Sequence, residues 1–185
     1  MFDERATIPK ILSGDLRAFD LLVKQYERLV FHICFKLVNS NDDAQDICQE
    51  VFIKVFKSLK SFGYQSKLST WIARIAYSTA LNHIKKNKRD SFHQYPDDVE
   101  NHHFTLTDPE NELIKKDVNK YINYLITQLP HQYRMVLTLF HLEEFSYQEI
   151  EQVTSLPEGT IKSYLFRGRK LLKEKLEGYL KNEIS

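Results

Sequence analysis

Apolar residues recur at every third or fourth position along almost all of this 185-residue chain, a period that admits helices and little else. Leu16, Phe19, Leu22, Val23, Tyr26, Leu29, Val30 and Ile33 form one stripe, with Gly14 ahead of it and Asp15 placed to cap its first turn. The cluster Asn39, Ser40, Asn41, Asp42 interrupts the pattern, which resumes with Ile47, Val51, Phe52, Val55, Phe56 and Leu59. Gly63 and its polar neighbours to Ser66 read as a loop. A third stripe, Leu68, Ile72, Ile75, Ala76 and Thr79, runs on to Ile84 and stops in a basic run from Lys85 to Arg89. Periodicity then fails, and the stretch to Pro109 is rich in Asp, Asn and His, which marks a linker. Beyond it, Ile114, Val118, Ile122, Leu125, Ile126 and Leu129 make a stripe ended by Pro130, and Tyr133, Val136, Leu137 and Phe140 begin another. Five Gly and five Pro are few for a chain of this length and agree with helices over turn-rich sheet. The expected fold is all-α: two helical domains, residues 1–90 and 112–185, joined by a flexible linker over 91–111.

Several function classes are disfavoured by what the chain lacks. No apolar run approaches the roughly 20 residues of a membrane span, and the charged Met1 to Arg5 leads into no signal-peptide core, so a cytoplasmic location is expected. Cys34 and Cys48 lack the close Cys or His partners of a zinc site and read as small buried hydrophobes, while His102 and His103 read as solvated linker residues. No glycine-rich phosphate loop, metal cluster or nucleophile arrangement is present, so no catalytic residue, cofactor, metal or small-molecule substrate is expected. The net charge is only +1, so nucleic-acid binding would need locally concentrated cations, with modest affinity for the free chain.

Such a concentration occurs near the C-terminus. Ser146, Tyr147, Gln148, Glu149 match the S-x-x-E capping box that opens a helix, and Thr154 to Pro157 supply a short break before a last helix reaching about Leu180. Ile161, Leu165, Leu172 and Leu176 would pack inward, whereas Lys162, Ser163, Phe166, Arg167 and Lys170 would project outward with Arg169 on the flank. This is helix-turn-helix form, and a helix so furnished fits the major groove. Basic residues alone would equally suit a solvated amphipathic face; the cap, turn and proline favour a DNA-reading unit.

The segments Phe145–Ile150, Leu156–Ser163 and Arg167–Leu172 resemble region 4 of extracytoplasmic-function (ECF) sigma factors, bacterial initiation factors of the sigma-70 family. The resemblance implies that the second helix reads the promoter −35 element through Thr160, Lys162, Ser163, Phe166, Arg167, Arg169 and Lys170. Where that family usually has Gly, this chain has Glu144 before the capped helix and Ser155 in the turn. Gly168 stands where Ala is usual and should loosen the helix modestly.

In the first half, Asp43 to Phe56 resembles sigma region 2.2, the surface that meets the polymerase clamp. Asp46, Gln49 and Glu50 share one helix face with Asp43 and Lys54 near it, which suits a partner rich in Arg; without the adjoining motif a solvated face would be the simpler reading. That motif, Leu68 to Ala76 with the only Trp of the chain, is similar to regions 2.3 and 2.4, which open the −10 element. The resemblance implies −10 contacts from Phe62, Tyr64, Lys67, Ser69, Thr70, Trp71, Arg74, Asn82, Lys85, Lys86, Lys88 and Arg89, because strand capture needs a base pocket, apolar walls and cations. Trp71 itself is expected to be mainly packing, with Ser69 and Thr70 facing DNA. Ser78 and Asn82 replace residues usual in relatives, which leaves the preferred −10 sequence open.

Together the motifs imply a factor that binds core RNA polymerase at its clamp and flap regions, recognises promoter DNA, is covered by an anti-sigma partner that in this family often holds it at the inner membrane, and is not an enzyme. Two alternatives remain at this point: a stand-alone helix-turn-helix regulator, and a sigma-like decoy for an anti-sigma factor.

Overall fold

The computed structural model describes residues 2–90 and 118–184, so most of the expected linker, with His102 and His103, lies outside the described residues. Among the described residues all regular structure is helical: α1 (Glu4–Leu12), α2 (Leu16–Val38), α3 (Asn41–Ser58), α4 (Leu68–Asp90), α5 (Val118–Thr127), α6 (His131–Leu137), α7 (Tyr147–Thr154) and α8 (Glu158–Ile184).

Local chemistry sets the boundaries in the first half. The Asp15 carboxylate accepts from the backbone N–H groups of Arg17 and Ala18, which starts α2 where its apolar stripe begins. Asn39 ends α2 in the left-handed region (φ 56°), and Ser40 next to it caps α3 by accepting from Asp43 N. These two residues make the α2–α3 hairpin that the polar cluster at 39–42 announces. Leu22, Val30 and Ile33 of α2, Ile47, Val51 and Val55 of α3, and Leu68, Ile72 and Ala76 of α4 are fully or almost fully buried, forming one three-helix core. Cys34 and Cys48 face each other between α2 and α3 as free thiols, and the hydrogen bond between them, with burial second, pushes the Cys34 thiol up. The short α1, held by a Tyr26 hydroxyl that donates to Glu4 Oε1 at 2.8 Å, adds Ile8 and Ile11 to the core.

The second half is built on α6, α7 and α8. After Leu137 the helix widens into a π-helical turn, Thr138–Leu142, and leaves it through Glu144 at φ 56°. Leu139, Ile150, Ile161 and Leu165 fill the centre. Gly168 does more here than loosen a helix: a Cβ built on it would stand 2.9 Å from Leu137 Cδ1 and 3.4 Å from Tyr133 Cβ, so its bare backbone is what lets α8 approach α6.

The two halves pack on one another. α7 lies against α4, and α6 with the π-helical turn lies against α2, so the buried apolar residues of both halves join in one continuous cluster.

Candidate nucleic-acid interface

The helix-turn-helix is assembled by short-range bonds. Ser146 Oγ accepts from Glu149 N at 3.3 Å while the Glu149 carboxylate accepts from Ser146 N at 2.8 Å, the complete reciprocal cap. α7 ends at Ser155, which takes φ 60° and donates its N–H to Glu151 O at 2.8 Å. Glu144 and Ser155, the two departures from expected glycines, therefore both occupy left-handed backbone. The Pro157 carbonyl accepts from Ile161 N at 3.1 Å and so stands just ahead of α8, where its missing N–H costs nothing.

With Ile161 and Leu165 buried, Ser163, Phe166, Arg167 and Lys170 fall at i, i+3, i+4 and i+7 along the outer face of α8, and Phe166 is 70% exposed. Thr160 is half-buried at the helix entry. Lys162 donates to Glu158 Oε1 at 2.6 Å and lies over the Tyr147 ring at 5.3 Å; its bond to Glu158 holds the ammonium more firmly protonated than usual. Arg169 points elsewhere than expected. Its Nε donates to His141 Nε2 at 3.1 Å and its guanidinium covers the Phe140 ring at 5.4 Å, so it fastens α8 to the π-helical turn. Burial and the adjacent Arg169 charge lower the His141 pKa, which keeps the imidazole neutral and able to accept that bond.

The expected −10 residues collect at the loop 62–67 and along α4. Phe62 is buried between Tyr64, at 4.9 Å between ring centroids, and Trp71, at 5.4 Å, so both Phe62 and Trp71 are packing residues while Tyr64 is half exposed at φ 55°. Ser69 is half-buried; Arg74, Asn82, Lys85 and Lys86 are exposed. Lys88 and Arg89 belong to the last turn of α4, with side chains outside the described residues. Thr70 does not face solvent. It is 1% exposed because α7 lies on it, and its hydroxyl donates to Glu149 Oε1 at 3.4 Å. The same carboxylate oxygen takes the Lys67 ammonium at 2.9 Å. Burial alone would raise the Glu149 pKa, but the bonds from Lys67 and Ser146 outweigh it and keep the carboxyl below its ordinary range.

On α3, Asp46, Gln49 and Glu50 are exposed together and Asp43 is half-buried within 4.0 Å of His83. Lys54 bridges helices: its ammonium sits 2.7 Å from Glu50 Oε1 and donates to Thr79 Oγ1 of α4 at 3.2 Å. The face continues through Ile53, 54% exposed, and Phe56, 43% exposed and edge-on to Phe19 at 4.9 Å. Reading Phe56 as part of the inward stripe missed this; its spacing of seven from Gln49, nearly two helical turns, is the signal that places it at the edge of the acidic and amide side.

Residues 22–90 match the family model described as Sigma-70 region 2, and residues 120–172 match that described as Sigma-70, region 4. These two, in this order along one chain, define a sigma-70-type factor. The ECF RNA polymerase sigma-E factor of Haemophilus influenzae is 33% identical over 94% of this chain and 95% of its own length. The RNA polymerase sigma-H factor of Pseudomonas aeruginosa is 32% identical over 96% of each. The chain belongs to the ECF sigma factor family. Its fold is also similar to that of the sigma factor RpoE in complex with the anti-sigma factor NepR from Bartonella quintana, with a TM-score of 0.66 and 22% identity over 86% of this chain and 96% of that one. CnrH in complex with the cytosolic domain of CnrY gives a TM-score of 0.65 and 17% identity over 95% of this chain and 97% of that one. Among the described residues no helix is long and apolar enough to cross a membrane.

Proposed function

We propose that this ECF sigma factor works by dividing three contacts between its halves. Residues 1–90 meet the polymerase clamp through Asp43, Asp46, Gln49, Glu50 and Lys54, extended by the apolar Ile53 and Phe56. The loop 62–67 and α4 hold the −10 strand, with Tyr64, Lys67, Ser69, Thr70, Arg74, Asn82 and the basic run from Lys85 to Arg89 facing it, while Phe62 and Trp71 pack beneath and brace the loop. Residues 112–185 place α8 in the −35 major groove, where Ser163, Phe166, Arg167 and Lys170 reach bases or phosphates and Lys162 and Thr160 position the helix entry. Polymerase supplies the chemistry of transcription. It also fixes the spacing of the halves, which raises the effective concentration of the second contact once the first is made. The protein acts in the cytoplasm and is held inactive there by an anti-sigma factor, the kind of complex in which similar folds occur.

The observation that carries this reading is the coexistence of an exposed acidic and amide face on α3 with an exposed Ser163–Lys170 stripe on α8 in one chain. A stand-alone regulator has no use for the first. Run-off transcription with core polymerase should depend on this protein. An Asp46→Ala/Gln49→Ala/Glu50→Ala variant should lose polymerase binding while its circular dichroism stays that of the parent. Failure of core polymerase to bind the parent protein or initiate with it would remove the reading.

A further inference from the structure

The α2–α3 hairpin sets the two cysteines of the chain against one another, and none of the contacts proposed above uses them. Val30, Cys34 and Leu37 stand at i, i+4 and i+7 on the inward stripe of α2, and Ala44, Cys48 and Val51 repeat that spacing on α3. The turn at Asn39 and Ser40 folds the two stripes face to face, and the thiols meet between them, both free. Their surroundings differ. Cys34 is fully buried, whereas Cys48 lies at the rim of its stripe, half-buried beside the exposed Gln49 and Glu50. The Cys34 S–H donates to Cys48 Sγ. That bond lowers the Cys48 pKa against the opposing effect of burial, and it holds the proton on Cys34. The sulfur that solvent can reach is therefore the one favoured as thiolate, and the hidden one keeps its hydrogen.

We propose that Cys48 and Cys34 form a peroxide-responsive thiol pair, in which Cys48 attacks a hydroperoxide and Cys34 resolves the product into a disulfide tying α2 to α3. The Cys48 thiolate attacks one peroxide oxygen and the O–O bond breaks. The departing oxygen takes up the proton that Cys48 had released to solvent, and Cys48 becomes a sulfenic acid. The Cys34 sulfur then attacks the Cys48 sulfur and the S–O bond breaks. The Cys34 proton goes to the leaving hydroxide, which departs as water. Two thiols have then lost two electrons, and one hydroperoxide has been reduced to an alcohol, or to water, with a second water released. Exchange with a dithiol restores both thiols, which suits a reversible sensor in a reducing compartment. The effect falls on the docking face. A covalent S–S bond is shorter than a hydrogen-bonded contact between thiols, so closing it draws α3 toward α2 on the turns that bear Asp46, Gln49 and Glu50. This last step rests on the assignment of those three residues to polymerase.

Reduced parent, Cys34→Ala, Cys48→Ala and the double variant are each treated with hydrogen peroxide, with and without dimedone, and their peptides are mapped by mass spectrometry without reduction. The parent should yield the Cys34–Cys48 disulfide. Cys34→Ala should instead accumulate a dimedone adduct on Cys48, and Cys48→Ala should leave Cys34 a thiol. Should Cys34→Ala fail to fold, Cys34→Val refills the buried position, and the map of the parent stands without either. Binding of N-terminally labelled protein to core polymerase, read by fluorescence anisotropy, should be about tenfold weaker for the oxidised parent and should recover with dithiothreitol. The double variant should bind like the reduced parent before and after peroxide, which separates the thiols from oxidation elsewhere. A dimedone adduct on Cys34 of the parent, disulfides between molecules in place of the internal one, or an oxidised parent that binds polymerase as tightly as the reduced one would overturn the inference. A reduced parent that does not bind polymerase would instead remove the docking assignment, and the peptide map would still decide the thiol pair.

Discussion

The two faces proposed to meet DNA stand in opposite conditions. On α8, Ser163, Phe166, Arg167 and Lys170 form an open stripe whose cations are spent at most on exposed i, i+4 pairs such as Lys170 with Glu174 at 3.9 Å. On α4 and the loop before it, Thr70 is buried, Lys67 is paired, and Phe62 and Trp71 are packed together, while Arg74, Lys85 and Lys86 stay exposed. The difference is not in the number of basic or aromatic side chains, which both faces possess. It lies in what the neighbouring helix presents: the first turn of α7 sets the Glu149 carboxylate against Lys67 and Thr70, and nothing comparable lies over the outer face of α8 among the described residues.

The strongest challenge to this comparison is to remove the packing that joins the faces. Ile150, fully buried on α7, should cost about 2–5 kcal/mol as Ile150→Ala. Because the buried cluster runs through both halves, the thermal unfolding should remain one transition displaced downward; two separated transitions would show that the halves fold independently and that the contact between them is slight. A sharper test compares two arginines on α8. Arg167→Ala should weaken −35 binding by roughly 1–3 kcal/mol if it reads a base, and should act uniformly across sequences if it touches only phosphate. Arg169→Ala should leave the sequence preference unchanged and lower the melting temperature slightly, as the clasp on His141 and Phe140 is lost; electrophoretic mobility shifts on a −35 duplex series separate the two. The smallest effect belongs to the turn. Ser155→Gly and Glu144→Gly should each stabilise the second half by about 0.5–1 kcal/mol, because a Cβ is disfavoured at positive φ, with no change in DNA preference. A destabilised melting curve for either would mean that its side chain contributes more than its backbone costs.

Most of the fold could be read from local patterns. Asp15, the 39–42 break and the Ser146 to Glu149 cap act within a few residues, so the α2–α3 hairpin and the helix-turn-helix are written where they form. α1 was not legible: it buries only Ile8 and Ile11 and carries Pro9 inside, too little for a periodic stripe. Gly168 was read through helix propensity alone, and its role as a close-approach site depends on Leu137, thirty-one positions earlier, which no local rule supplies. For the candidate site, the acidic face on α3 and the outward stripe on α8 followed from helical spacing. The covering of Thr70 and the turning back of Arg169 did not. The first involves partners 79 positions apart and the second partners 28 apart, both polar, and long-range polar contacts leave no periodic trace.

Lys54 has a mechanical consequence. Its ammonium ties Glu50 on the α3 surface to Thr79 in the middle of α4, a bond that crosses between helices instead of following the chain around the 59–67 loop. A group that took Glu50 from outside would therefore compete for the Lys54 ammonium, and the exchange would be felt at Thr79 on the neighbouring helix.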